Sequence, residues 1–282
     1  MEITKESPLK KYRRQPKIFI DLPSKGAFYP SGAVANDVYT QLAVFSMTPN
    51  DDILFKTPDA LINGQATVQN IKSCIPSILD PWHMPMIDLD TVLISIRLAT
   101  YGPSISVLAN CPHCKTENTY DIPLQSFIDH YNSLEYNDTF TVDNFVFKTR
   151  PLNYKEYTEN QKQIIAYQRA INIEAPKIKD EKEKEEYEQR LINELADLNV
   201  QKMVMTITSV EIDGEVETDL QEIVNWIAGT DVKIFHALKK HIEGNVQRWA
   251  PQKKNVQCGN ENCKKEHNIM VRLDQSDFFG KG

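Results

Sequence analysis

Two segments decide how this chain is read: Cys111-Pro-His-Cys114-Lys-Thr-Glu-Asn-Thr-Tyr-Asp-Ile-Pro-Leu124 and Cys258-Gly-Asn-Glu-Asn-Cys263-Lys-Lys-Glu-His-Asn-Ile-Met-Val-Arg-Leu273. Aligned without gaps from the second cysteine of each pair, Cys, Lys, Glu and Leu coincide. Tyr120 against Ile269 and Ile122 against Val271 keep the apolar alternation of a half-buried strand. The continuation is alike too, with Gln125-Ser126-Phe127 beside Gln275-Ser276-Asp277-Phe278. Each segment therefore reads as a short cysteine turn leading into a strand. Zinc takes four thiolate or imidazole donors in a tetrahedron, and a tight turn presents two at once. We therefore expect Cys111, Cys114, Cys258 and Cys263 to hold one structural zinc and to close a zinc-ribbon-like β element from two distant knuckles.

A lone Cys-x-x-Cys is a weak signal. Two pairs are stronger, although 143 residues separate Cys114 from Cys258 and the second spacer has four residues. A partial or histidine-substituted site and unmetallated thiols stay open. Cys-Pro-His-Cys is also the active-site tetrapeptide of some thiol oxidoreductases, in which a helix N-terminus stabilises the first thiolate. Here a polar turn, a strand and Pro123 follow, which removes that helix and leaves His113 a loop residue. Cys74, alone at an apolar helix end, reads as a buried thiol. The sequence carries no Gly-rich phosphate loop, His-Glu-x-x-His or Gly-x-Ser-x-Gly. Four thiolates leave no open coordination position, so the metal is expected to be structural and the chain not an enzyme.

Working outward, 282 residues with 41% hydrophobic content can fill a real core. No run approaches the roughly 18 to 20 apolar residues that cross a bilayer, and residues 1–17 lack the apolar centre of a secretory signal. A reducing cytoplasm and no membrane are expected. The net charge of -7 argues against bulk nucleic-acid binding, although residues 1–17 and 248–273 each carry six Lys or Arg against two Glu.

The chain divides by pattern into a basic mobile arm (1–17), an N-terminal α+β region with the first knuckle (18–152), a helical insertion (153–249), and the second knuckle with a C-terminal strand (250–282). The expected class is α+β, with a β-rich segment at the N-terminus. In the second region, Val38–Met47 reads as a strand and Pro58–Ile71 as a helix. Asp88 reads as the N-cap of a further helix, with Leu89, Val92, Leu93, Ile96 and Ala99 facing a core. Residues 140–149 and Val210–Val216 read as hairpins around Asp143-Asn144 and Asp213-Gly214. Lys177–Arg190 reads as a solvated helix face of mixed charge. A last helix is capped at Thr230 or Asp231 and expected to run to Gly244. His83, His236 and His241 are read as structural, the latter two about 140° apart on one helix and poorly placed to share a metal.

With these residues in hand, the chain resembles the baseplate hub subunit family of T-even-like contractile-tailed bacteriophages. The resemblance rests on Asp21-Leu-Pro-Ser-Lys-Gly-Ala-Phe-Tyr-Pro-Ser-Gly32, Met47-Thr-Pro-Asn-Asp-Asp-Ile-Leu54, Thr57-Pro-Asp-Ala-Leu-Ile-Asn-Gly64, and the helix with Cys-Pro-His-Cys around residues 89–114. Their order and spacing cover roughly residues 18–125; the charged helical segment carries no family motif. The resemblance implies a late viral protein, made in the host cytoplasm and destined for the tail baseplate of the virion. It would act in tail assembly through contacts with other hub or tail proteins. A zinc-ribbon adaptor for nucleic acid, using the two basic segments, is the reading from another class. Only Trp249 would offer such an adaptor a base-stacking ring among the basic residues.

Overall fold

A computed structural model of the chain describes residues 9, 13–57, 63–251 and 253–271. β1 (Pro16–Ile20) and β2 (Leu42–Phe45) form an antiparallel pair. The strand expected over Val38–Met47 shortens to β2 because Gln41, with φ 53°, breaks the extended run. Of the arm expected over residues 1–17, residues 1–8 and 10–12 lie outside the described residues. Arg14 and Lys17 belong to the fold: Arg14 donates to the Ser46 carbonyl (2.6 Å) and to the Ser73 carbonyl, and Lys17 lies in β1.

Two helices follow. α1 (Pro49–Phe55) starts from a reciprocal capping box, the Thr48 hydroxyl meeting the Asp51 N–H while the Asp51 carboxylate accepts the Thr48 N–H. α2 (Gln65–Cys74) starts only after Gly64, whose φ of 79° no continuous helix allows. The helix expected over Pro58–Ile71 is thus described from Gln65 onward, and residues 58–62 lie outside the described residues. α3 (Met86–Tyr101) is buried almost all round, as a helix apolar on every side must be.

Asp88 is not the N-cap of α3. The helix begins at Met86 behind Pro85, whose extended ψ of 138° already sets the entry. Asp88, fully buried, instead accepts hydrogen bonds from the Ser24 N–H (2.7 Å) and the Ser24 hydroxyl (2.6 Å). It thereby fixes the turn-rich segment after β1 to the central helix. Gly26 in that turn has φ 88°, and a Cβ there would stand 2.3 Å from the Tyr39 ring, so only glycine fits.

Burial pushes the Asp88 carboxyl up to about 6 despite its two bonds from Ser24, and burial raises Asp90 to about 6 as well. A folded-state pKa above the unfolded one means that protonation stabilises the fold. That contribution is complete below about pH 4 and is lost as pH rises through 6. Thermal midpoints are therefore expected to fall between pH 5 and pH 7.5. Asp88→Asn, whose amide can still accept the Ser24 N–H and donate to its hydroxyl, should flatten that slope. A midpoint that rises over this range would refute the assignment.

β3 (Ser104–Asn110) and β4 (Glu117–Pro123) form the first knuckle's hairpin, and α4 (Gln125–Ser133) follows. These elements share one core with β1, β2 and α3, built on residues such as Ile71, Ile94, Ile96, Leu124 and Phe127. The C-terminal hairpin, β9 (Lys253–Gln257) with β10 (Glu266–Met270), joins the same core through Ile269 and Val271.

A second core lies between. The hairpin of β5 (Thr139–Val142) and β6 (Phe145–Thr149) turns at Asp143, φ 49°. α5 (Tyr154–Arg169) begins with a capping box at Asn153 and Glu156, and Arg150 binds the Glu156 carboxylate at 2.8 and 2.7 Å. After a turn at Ala170–Lys177, α6 (Glu181–Val204) returns; of the charged stretch, Lys177–Asp180 precede the helix and Glu181–Arg190 form its first part, with none of those ten residues buried. β7 (Ile207–Ile212) and β8 (Glu215–Glu217) then complete a four-stranded antiparallel sheet in the order β5-β6-β7-β8. α7 (Leu220–Gly229) and α8 (Val232–Arg248), capped at Asp219 and Asp231, cover it. Residues 153–249 are thus helical only in part, since they supply two strands to a sheet that begins at Thr139. Local periodicity cannot report a partner strand some sixty residues away. α8 also runs past Gly244, where buried Asn245 exchanges hydrogen bonds with the backbone of Asn137 (2.8 and 3.3 Å).

Candidate metal centre

The two knuckles have the same backbone plan. In the first, Asn110 of β3 pairs with Glu117 of β4, and the Cys111 N–H donates to the Thr116 carbonyl (2.9 Å). In the second, Gln257 of β9 pairs with Glu266 of β10, and the Cys258 N–H donates to the Lys265 carbonyl (3.0 Å). The lysine after the second cysteine is left-handed in both turns, Lys115 at φ 62° and Lys264 at φ 46°. The gapless alignment of the two segments thus marks equivalent backbone positions. The two extra residues of the second turn are absorbed before Asn260, whose carbonyl accepts the Lys264 N–H (3.1 Å) as Cys111 accepts that of Lys115 (2.9 Å).

The hairpins bring all four sulfurs together. Their Sγ atoms lie within 4.8 Å of one another, with Cys111 to Cys263 at 3.9 Å and Cys114 to Cys258 at 3.6 Å. A tetrahedral ion with metal–sulfur bonds of about 2.3 Å has sulfur–sulfur edges of about 3.8 Å, so this donor set fits a thiolate-bound ion and can hold one. No histidine belongs to the group among the described residues. His113 is exposed in the first turn, and His267 packs edge-on against Tyr120, with its Nε2 3.4 Å from the Tyr120 hydroxyl.

The electrostatics explain why such a cluster favours a cation. Hydrogen bonding from Thr116 pulls the Cys114 thiol down to about 6. A backbone N–H at Lys265 also favours the Cys263 thiolate, yet desolvation and the neighbouring thiols outweigh it and push that group up to about 11. Cys258 is raised in the same way, against the pull of the Asn260 N–H. One sulfur ionises readily and the next must do so beside it. A divalent ion removes that repulsion.

Cys74 stands apart, buried on α2 among apolar neighbours, with its thiol pushed up to about 12 chiefly by burial. His83 pairs with Asp80 (2.6 Å) and His241 stacks on Phe140 (5.0 Å between ring centres), so neither joins the sulfurs. Reading the sequence missed Asn118 and Asn260, which bridge the knuckles. The Asn260 amide donates to the Thr116 hydroxyl (2.9 Å), and Asn118 Oδ1 accepts the Gly259 N–H (3.0 Å). Asparagine in a turn usually serves its own loop, so nothing in the pattern set these two apart. β9 was missed as well, because Lys-Lys-Asn-Val-Gln has a single apolar residue to alternate.

No helix among the described residues is long and apolar enough to cross a membrane. Neither the curated proteins nor the solved structures compared with the chain gave a match. A family model described as "T4 bacteriophage base plate protein" matches residues 45–280, from the end of β2 to beyond the second cysteine pair. With both knuckles, the second core and most of the first inside a match over most of its length, the chain belongs to the T4 bacteriophage base plate protein family.

Proposed function

We propose that this chain is a non-enzymatic component of the phage tail baseplate hub, or of its assembly, that works through contacts with other hub or tail proteins and is stabilised by one structural zinc. The observation that carries the reading is the family match across both cysteine pairs, joined to a four-sulfur group of tetrahedral dimensions. A closed thiolate set supports a fold-holding ion, because it leaves no position for substrate or water. In this reading the two hairpins form a zinc ribbon. The protein is made in the host cytoplasm and ends in the tail of the virion. Mixed charge and exposed Ile165, Ile173 and Ile192 on α5, α6 and the turn between them suit a protein-binding arm.

The nucleic-acid alternative loses its one aromatic candidate. Trp249 stacks on Tyr131 (ring centres 6.1 Å apart, planes 7° from parallel), and its indole nitrogen is buried. Co-expression of the tagged chain with the other tail proteins of its phage tests the proposal. The expected result is a stoichiometric complex with one or more of them, carrying about one zinc per chain. Tight binding to DNA or RNA that weakens steeply with salt, and no tail-protein complex, would overturn it.

A further inference from the structure

We propose that Asn118 is a positioning residue of the metal centre, one that stands on the first knuckle but holds the second knuckle's cysteine. This rests on the reading of the four sulfurs as a metal site. Asn118 is the second residue of β4, opposite Ala109. Its Nδ2 donates to the Thr116 carbonyl (2.9 Å) and lies 3.6 Å from Cys258 Sγ, within reach of an N–H···S bond. Its Oδ1 accepts the N–H of Gly259 (3.0 Å). These partners fix the amide's orientation by chemistry alone. The Gly259 N–H can only donate, so the amide oxygen must face it and the NH2 end lies toward the sulfur and the Thr116 carbonyl, which also accepts the Cys111 N–H.

The second knuckle needs this outside support. The first turn closes on itself, the Lys115 N–H bonding back to the carbonyl of Cys111. In the longer second turn the equivalent bond ends at Asn260, so Cys258, tied to its own knuckle through its N–H and the Lys265 carbonyl, and Gly259 lie before that turn closes. Asn118 takes hold of these two residues, one through its sulfur and the other through its N–H. Gly259 makes the approach possible, because a Cβ there would stand 3.0 Å from Asn118 Oδ1. The second knuckle reaches back through a different position, Asn260, whose amide donates to the Thr116 hydroxyl (2.9 Å) and lies 4.0 Å from Cys114 Sγ. In the alignment of the two knuckles the counterpart of Asn118 is His267, which packs on Tyr120. An N–H directed at a thiolate both orients the sulfur and disperses its charge, which eases four thiolates into one shell. Groups that support metal ligands in this way typically contribute a factor of 10 to 100 in metal affinity.

Competition against a chromophoric chelator, using zinc on the full chain, measures the effect, with cobalt substitution reporting the thiolate environment by its charge-transfer bands. Asn118→Ala is expected to bind zinc about 10- to 100-fold more weakly than the parent. Its cobalt bands should shift, while the melting midpoint of the metal-free protein stays unchanged. Asn118→Asp keeps an acceptor for the Gly259 N–H but turns a carboxylate toward the sulfur, and should bind at least as weakly as the alanine variant. Parent-like affinity in either variant would overturn the proposal, as would a fall in metal-free stability as large as that of the metal-bound form. Failure of the parent chain to bind zinc is a different result, and would count against the metal site itself.

Discussion

Replacing Cys258 with Ser is expected to remove the metal and much of the stability together. Its sulfur lies 3.6 Å from that of Cys114, and three remaining thiolates with a hydroxyl are a poor shell for a soft-ligand ion. Because the cysteine pairs lie 143 residues apart, an ion held by both would close a long loop. A cross-link over a loop of this order removes about 4 to 5 kcal/mol of unfolded-state entropy. Thermal midpoints of proteins this size move by roughly 2 °C or more per kcal/mol, so a fall on the order of 10 °C is expected. A strong chelator should bring the parent protein to the same midpoint and leave the variant unmoved. Cys74→Ala is the control: its thiol sits in the core away from the cluster, so metal content should stay at the parent value. Elemental analysis with differential scanning calorimetry reads both. A Cys258→Ser protein with full metal content and an unchanged midpoint would refute the site.

Phe147→Ala should damage the other core and spare the metal. Phe147 is fully buried on β6, with Phe140, Phe145 and Trp226 around it at ring-centre distances of 6.0, 6.3 and 6.1 Å. Deleting a ring from such a place costs about 3 to 5 kcal/mol, partly through the cavity left behind. The sulfur cluster hangs from hairpins that pack on the larger core, so metal content is expected to hold while Trp226 becomes more exposed to quenchers. Simultaneous loss of zinc would show that the two cores unfold as one.

What could be read from the sequence was local chemistry. The cysteine turns, the Asp143 and Asp213-Gly214 reversals and the cap at Asp231 each follow from a residue whose side chain or backbone freedom sets its own neighbourhood. Thr48 to Asp51 offered the same kind of signal for α1 and was passed over among prolines. Asp88 misled because an acidic residue before an apolar run resembles a cap, whereas burial had assigned its oxygens to Ser24, 64 residues away. The four-stranded sheet was hidden for a related reason: β6 carries no mark saying that β7 is its neighbour. At the cysteine cluster the four sulfurs were legible and their neighbour was not, since Asn118 reaches across the gap between the hairpins.

The distance along the chain between the two knuckles also sets a clock on synthesis. A ribosome adding about 5 to 20 residues per second needs roughly 7 to 30 s to go from Cys114 to Cys258. Throughout that interval the first hairpin has Cys111 and Cys114 without the Cys258 and Cys263 sulfurs that stand beside them in the fold. An ion held by all four sulfurs could be locked in only after the second core has been made. On the reading of the four sulfurs as one metal site, capture of the ion would therefore mark a chain whose second core has already been made, whereas a chain truncated before Cys258 would keep the Cys111 and Cys114 thiols without their two partners.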